Sequence, residues 1–404
     1  MTRRRLLGVS GAAGVAGLGA GSGSTLLYGR ATASGAPAAA LGDQHLPFHG
    51  PHQPGIEAPM QAQGWLTAFD LKPSTTRAPV IDLMRTWTGI AAAAMDGAPV
   101  PGDDAMAHSR GPASLSVTIG FGASLLTRIG LSGQIPDALA ALPAFVGDHL
   151  DPAAGAGDLI TLVAGNDALV VVHALRALQR AAAHTTVQRW QINGFTDHPG
   201  ATPTPTSTPR NLMGQIDGTA NPKPGTPAFN KTVYVPDDAR PAWMRGGSYL
   251  VYRRIRMLLP AWDALDRAAQ EAVIGRTKDT GAPLSGGTET TAPDYTKQNP
   301  DGSLAIPAEA HIRQASAQSN QGATILRRAF NYYQGTLSDG SPDAGLMFLA
   351  YQADPATGFT RIQQRLAQAD TLSTFTRHEA NALFAIPPGC PPGQYLGQAV
   401  LESV

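Results

Sequence analysis

The stretch from Asp158 to Phe195, DLITLVAGNDALVVVHALRALQRAAAHTTVQRWQINGF, reads in three pieces. Asp158–Ala164 is a short apolar run of the kind that forms a buried strand. From about Asp167 to Ala183 the apolar residues recur at helical spacing, and Val187–Phe195 returns to strand character. Towards the N-terminus, Ser114–Phe121 alternates like a strand, Val80 to about Ala94 reads as a helix, and Trp65–Leu71 reads as a strand. The order strand–helix–strand–strand–helix–strand predicts a ferredoxin-like α+β half, an antiparallel sheet with helices on one face.

Towards the C-terminus, the Pro/Thr-rich Ala201–Pro209 breaks all periodicity and reads as a linker or long surface loop. A second series follows. Gly247–Leu259 reads as a strand, Trp262–Gly275 as a helix, and Arg276–Ile306 as a long polar loop. Then come Ile325–Tyr333, the apolar Leu346–Tyr351, a helix over Phe359–Asp370 and a last strand over Ala382–Ile386. The expectation is two α+β halves in tandem, 61–200 and 211–404, joined by 201–210, without a sequence-level repeat. Residues 34–60 read as an extended lead-in.

The 404 residues include 30 Lys+Arg, 30 Asp+Glu, 43% apolar residues and one Cys, enough for a sizeable core and no excess charge. Zero formal charge argues against a nucleic-acid partner. The lone Cys390 excludes an intrachain disulfide, a Cys/His zinc cluster and a CxxCH haem attachment, and it reads as inert. The neutrality hides an asymmetry. Residues 1–33 hold Arg3, Arg4, Arg5 and Arg30 and no acid, so the rest sets 26 basic against 30 acidic residues. Arg3-Arg4-Arg5, a Gly/Ala-rich apolar run to about Tyr28, and Ala31-Thr32-Ala33 before Ser34 follow the order of a twin-arginine export signal. The run is too glycine-rich for a stable membrane span. A protein passed by the twin-arginine translocon in folded form, often with its cofactor inserted, to the periplasm or cell exterior is the expectation.

Several chemistries drop out. Gly120-Phe121-Gly122 lacks the third glycine of a dinucleotide fingerprint, and no P-loop, GxSxG elbow or HExxH occurs. His173 lies on an apolar helix and reads as a core residue, whereas His184 and His198 read as surface residues. Three segments remain: NLMGQIDGTANP over Asn211–Pro222, AHIRQA over Ala310–Ala315 and ILRRAFNY over Ile325–Tyr332. Singly, Asp217-Gly218 is a turn and Arg327-Arg328 a solvated edge.

Together they carry more. Gly214-x-x-Asp217-Gly218 resembles the GxxDG signature of the dye-decolourising (DyP-type) peroxidases. Gly50–Ile56 resembles that family's GxHQxGI, and Ile274–Lys278 with Gly281–Leu284 its IGRxK…GAPL. Gly345–Gln352 and Ala385–Gly389 resemble its closing strands, so the likeness runs from about residue 44 to the C-terminus. The signal suits its secreted branch, which includes proteins of bacterial iron uptake. The resemblance implies one non-covalent haem b per chain, between two ferredoxin-like halves of the dimeric α+β barrel type and mostly within the second. His311 matches the proximal iron ligand, Asp217 the distal acid–base residue and Arg327 the distal arginine. Gly218, Thr219 and Ala220 would line the haem edge. Hydrogen peroxide would be the oxidant and a small phenolic or dye-like aromatic the donor, through a ferryl state.

The residue types suit that chemistry. Heterolysis of peroxide needs a proton moved between its oxygens, which a carboxylate does, and a fixed cation for the departing oxygen, which Arg supplies. An Asp base in place of His implies turnover at acidic pH. Met213, Ile216 and Ala329 stand where Phe, Lys and Gly are frequent in the family, which bears on access to the distal pocket. An acceptor is expected behind His311, with Glu379 and Asp354 as candidates. Trp243, Tyr249, Tyr252, Trp262, Tyr332 and Tyr333 are core aromatics or electron relays. Two other haem roles fit the same residues: deferrochelatase-like iron release, and carriage without turnover. Self-association stays open.

Overall fold

Apolar runs of the first half become strands β1 (Gln63–Leu71), β2 (Ser116–Phe121), β3 (Leu159–Gly165) and β4 (Thr186–Phe195) in the computed structural model of the chain. Helices α1 (Arg77–Met95), α2 (Ala123–Arg128) and α3 (Ala168–Ala182) lie between them. The Asp167 side chain starts α3 by accepting from the Leu169 and Val170 amides, an N-cap that satisfies two otherwise orphaned donors. The structure describes residues 41–103, 105–197 and 208–403. The export signal expected over 1–33, His198 and most of the 201–210 linker lie outside them.

The second half follows with α4 (Pro227–Val233), β5 (Ser248–Met257), α5 (Leu259–Asp263) and α6 (Arg267–Ile274). After a long loop come α7 (His311–Gln314), β6 (Leu326–Arg327), β7 (Phe330–Thr336), β8 (Pro342–Gln352), α8 (Arg361–Ala369), β9 (Thr376–Ile386) and α9 (Gln398–Leu401). Several elements differ from expectation: α2 and α4 are additional short helices, Ile325–Tyr333 is divided between β6 and β7, and β8 begins at Pro342. The single helix over Trp262–Gly275 is two, because Asp266 accepts from the Ala269 amide and caps a new start. A wide turn over Ala356–Thr360 precedes α8, and Asp370 sits just beyond that helix. Strand β9 begins six residues earlier than Ala382, since Arg377 and Glu379 interrupt its apolar period while the ladder to β5 continues. The lead-in is also more than extended chain, as Gln53 and Ile56 are buried.

The strand order is β5-β9-β2-β3-β1-β4-β7-β8-β6, and a β5–β8 ladder closes the ring. Each half runs fourth–first–third–second by chain order, once β6 and β7 are taken as one interrupted strand along β8. This is the ferredoxin-like arrangement, twice. The seams carry one paired position each, Phe121↔Ala385 and Phe195↔Asn331. Gln53 plugs the first seam, exchanging both amide hydrogen bonds with the Ile119 backbone and donating to Pro387 O at 3.0 Å. Glycines serve the second: a Cβ on Gly64 or Gly194 would stand 2.7 or 2.6 Å from Phe330.

Side chains from both halves fill the ring, among them Leu66, Ile160, Leu250, Tyr252, Phe330, Leu349 and Phe384. Outside the first half, α1 and α3 lay Met84, Trp87, Leu175 and Leu178 over Val117 and Val163. Outside the second half the apolar clusters are small, one around Trp262 and one around Phe359. His173 is a buried core residue with Nε2 3.0 Å from Asp103 Oδ1. Cys390 is buried too, and burial pushes its thiol up to about 11, where it is protonated and unreactive at neutral pH.

Candidate active site

The Arg327-Arg328 pair divides at β6, because successive strand residues point to opposite faces. Arg328 turns inward and is buried, donating to Gln61 Oε1 at 2.9 Å and to the Ala58 carbonyl. Arg327 turns outward and its Nη1 donates to Asp217 Oδ1 at 3.0 Å, with both side chains about a quarter exposed (27% and 24%). Among the described residues Asp217 Oδ2 meets only the Asn211 amide, which donates at 3.4 Å.

The loop that carries Asp217 is built for this meeting. Asn211 Oδ1 accepts from the amides of Met213 and Gln215 and folds the loop back. Gly218 has φ +127°, which disfavours any side chain, and a Cβ there would crowd Thr208. Asn221 then clamps the arginine strand, donating from Nδ2 to Arg327 O at 2.7 Å and accepting from Arg327 N at 3.1 Å. The clamp fixes the loop to β6, so acid and cation meet without relying on their long side chains alone.

His311 is the first residue of α7. Its Nδ1 lies 2.7 Å from Asp370 Oδ2, and a quarter of its side-chain surface (25%) is accessible while Asp370 is almost wholly enclosed (3%). Burial opposes the charged imidazole, yet the charge and hydrogen bond of Asp370 outweigh it and hold the ring's proton affinity above ordinary. Arg327 and Asp217 also act on this imidazole through space, in opposite senses. The three groups named from sequence therefore lie within electrostatic reach of one another. The acceptor behind His311 is Asp370 and neither sequence candidate. Glu379 instead accepts from Arg256 Nε at 2.7 Å and Arg254 Nη1 at 3.2 Å, and Asp354 caps Ala356 N and Thr357.

Other named residues fall elsewhere. Thr219 is tied by its hydroxyl to Glu289 Oε1 at 2.8 Å, and Ala220 is exposed. Met213 packs with Trp262 in a separate core, and Ile216 packs against Gly281. Five of the six aromatics are buried, and only Tyr333 is exposed, at 57%. Arg276 closes the long loop by donating to the carbonyls of Gly281 and Glu289. Sequence reading missed Asn211, Asn221 and Asp370. An asparagine at each end of the GxxDG segment was a visible signal for the first two.

The donor set can be tested against haem. His311 Nδ1 is spent on a carboxylate, leaving Nε2 without a protein partner among the described residues and facing accessible space. An imidazole oriented in this way is what haem iron takes as an axial ligand. The residues fit the group.

A family model described as "Dyp-type peroxidase, N-terminal" matches residues 53–196, and its C-terminal counterpart matches 208–391. The chain belongs to the DyP-type peroxidase family. A dye-decolorizing peroxidase of Thermobifida fusca is 45% identical over 360 residues, covering 87% of this chain and 84% of its own. A deferrochelatase of Yersinia pestis is 35% identical over 425 residues, covering 100% and 95%. Among solved structures, a DyP-type peroxidase from Streptomyces coelicolor has a TM-score of 0.88 at 50% identity, covering 90% of this chain and 98% of that one. A DyP-type peroxidase from Cellulomonas bogoriensis has 0.86 at 40%, covering 90% and 100%. The DyP-type fold, haem as cofactor and a haem peroxidase activity follow for this chain.

Proposed function

We propose that this DyP-type peroxidase holds its haem iron through His311 Nε2 and manages peroxide protons on Asp217 beside the fixed cation of Arg327. The carrying observation is the 3.0 Å Arg327–Asp217 pair together with an imidazole whose Nδ1 is spent on Asp370. Haem, when bound, supplies the redox chemistry, taking oxidising equivalents from hydrogen peroxide and passing them to a donor in single-electron steps. Asp217 Oδ1 is occupied by Arg327, so Oδ2 is the oxygen that takes a proton from one peroxide oxygen and returns it to the other. The Arg327 guanidinium stabilises the negative charge that develops on the departing oxygen. Asp370 orients His311 and raises its basicity towards the iron.

The remaining parts of the proposal rest on sequence. Residues 61–200 and 211–404 are its two domains, and the donor is a small phenolic or dye-like aromatic. The enzyme is exported in folded form by the twin-arginine route; lysines at Arg3, Arg4 and Arg5 together should retain it in the cytoplasm by fractionation. Rapid mixing of ferric holoenzyme with peroxide tests the chemistry: Asp217→Asn and Arg327→Leu should keep the Soret band and slow its shift. A wild-type rate in both variants would remove these residues from the mechanism.

A second reading is iron release from haem, favoured by relatives named deferrochelatase that align over this whole chain. Metal-free porphyrin fluorescence after incubation with haem would support it. Intact haem throughout would leave the peroxidase alone.

A further inference from the structure

On α8, Arg361 and Arg365 stand one turn apart on the same face, where like charges repel. They border a cavity of about 570 Å³ whose lining contains no acidic residue. Arg365 Nε donates to Gln314 Oε1 at 2.8 Å, while the Arg361 guanidinium has no partner among the described residues. Two cations are thus left on one wall without a counter-charge.

The apolar part of the lining has an identifiable origin. Arg253 is fully buried, pairs with Asp148, and lies against the rings of Phe145 and Phe359 at 5.3 and 5.9 Å. Asp148 in turn closes a tight turn back to Phe145. Pinning this turn leaves Val146 76% exposed at the cavity rim, with Phe145 lining the cavity beside it. An exposed aliphatic side chain lining the same cavity as two unneutralised guanidiniums complements a ligand that is apolar at one end and acidic at the other.

We propose that this cavity receives a carboxylate carried on a flat apolar body, with Arg361 and Arg365 on the carboxylate and Phe145 and Val146 against the body. The cavity adjoins the helix of the proposed iron ligand. Gln314, which accepts from Arg365, ends α7, and Asn320 of the cavity lining donates to Gln314 O at 2.7 Å. His311 opens the same four-residue helix, about 6 Å long at its usual rise. Two sources carry the required chemistry at that place: haem itself, through its propionates, and a free aromatic carboxylate.

Two measurements on the holoenzyme separate them, in wild type, Arg361→Gln and the Arg361→Gln/Arg365→Gln double variant. One is the rate of haem transfer to excess apomyoglobin, followed at the Soret band. The other is calorimetric titration with 2-naphthoate, with neutral 2-methylnaphthalene as control. If propionates occupy the cavity, the double variant releases haem about tenfold faster and naphthoate does not saturate either protein. If a free carboxylate does, haem release is unchanged and naphthoate binds the double variant about tenfold more weakly. Unchanged haem release with naphthoate binding absent or equal in both proteins overturns the proposal. So does an effect that appears only with Arg365 and is not rescued by Arg365→Lys, because that traces to the Gln314 bond rather than to charge. None of these outcomes bears on His311 as axial ligand, which has its own test below.

Discussion

The two halves share one strand order and differ in what covers the outer face of the sheet. Over the first half lie α1 and α3, of 19 and 15 residues, which fill the face with Trp87, Met84, Leu175 and their neighbours. Over the second half lie α8 and α7, of nine and four residues, and the long loop closed by Arg276. Short covering elements cannot fill a sheet face with their own side chains. These short elements carry His311, on α7, and stand beside the Arg327–Asp217 pair at β6. A duplicated architecture thus gives the first half the large helical cover, and the proposed site falls to the second.

The sharpest test of that division is His311→Ala. The variant should fold and lose haem or its axial ligation, seen as a lost or displaced Soret band with an unchanged far-ultraviolet circular dichroism spectrum. Full haem content with an unaltered spectrum would break the assignment. The matching test in the first half is Trp87→Ala, which deletes a fully buried ring and its hydrogen bond to Leu178 O. It should cost about 3–5 kcal/mol in denaturant unfolding while leaving the Soret band of the folded fraction in place. A large spectral change there would show that the halves are not divided as described.

Within the second half, the effects should grade with distance from the reacting atoms. Arg327→Leu should keep haem and slow the peroxide reaction by about 10²–10³-fold. Asp370→Asn removes the charge behind His311 while Oδ1 can still accept from Leu372 N. It should raise the iron midpoint potential and weaken haem retention by about 10–100-fold. Asn221→Ala should be mildest, at about 1–2 kcal/mol in peroxide reactivity, because it loosens the β6 clamp without touching the reacting groups. If Asn221→Ala matched Arg327→Leu, the guanidinium would owe its position to the clamp rather than to Asp217.

Much of this was legible in the chain alone. The first half was easiest to read: β2 and β3 are buried throughout and read as apolar runs, and α1 and α3 are long helices with one buried face. The second half was harder because its strands carry charged pairs. Glu379 on β9 neutralises Arg254 and Arg256 on β5, so the polar end of β9 looks like a loop until its partner strand is seen. Helix α6 was concealed in the same way, since Asp266 is a cap only if the preceding helix stops.

The sequence by itself determined the four strands and two long helices of the first half and the family, because local periodicity and short motifs are written in neighbouring positions. The tertiary structure alone decided which carboxylate stands behind His311 and what holds Arg327 beside Asp217. Each of these depends on groups far apart in the chain, 59 residues for His311 and Asp370 and 106 for Asn221 and Arg327. Such partners are chosen by how helices end and strands align, and no local pattern records that choice.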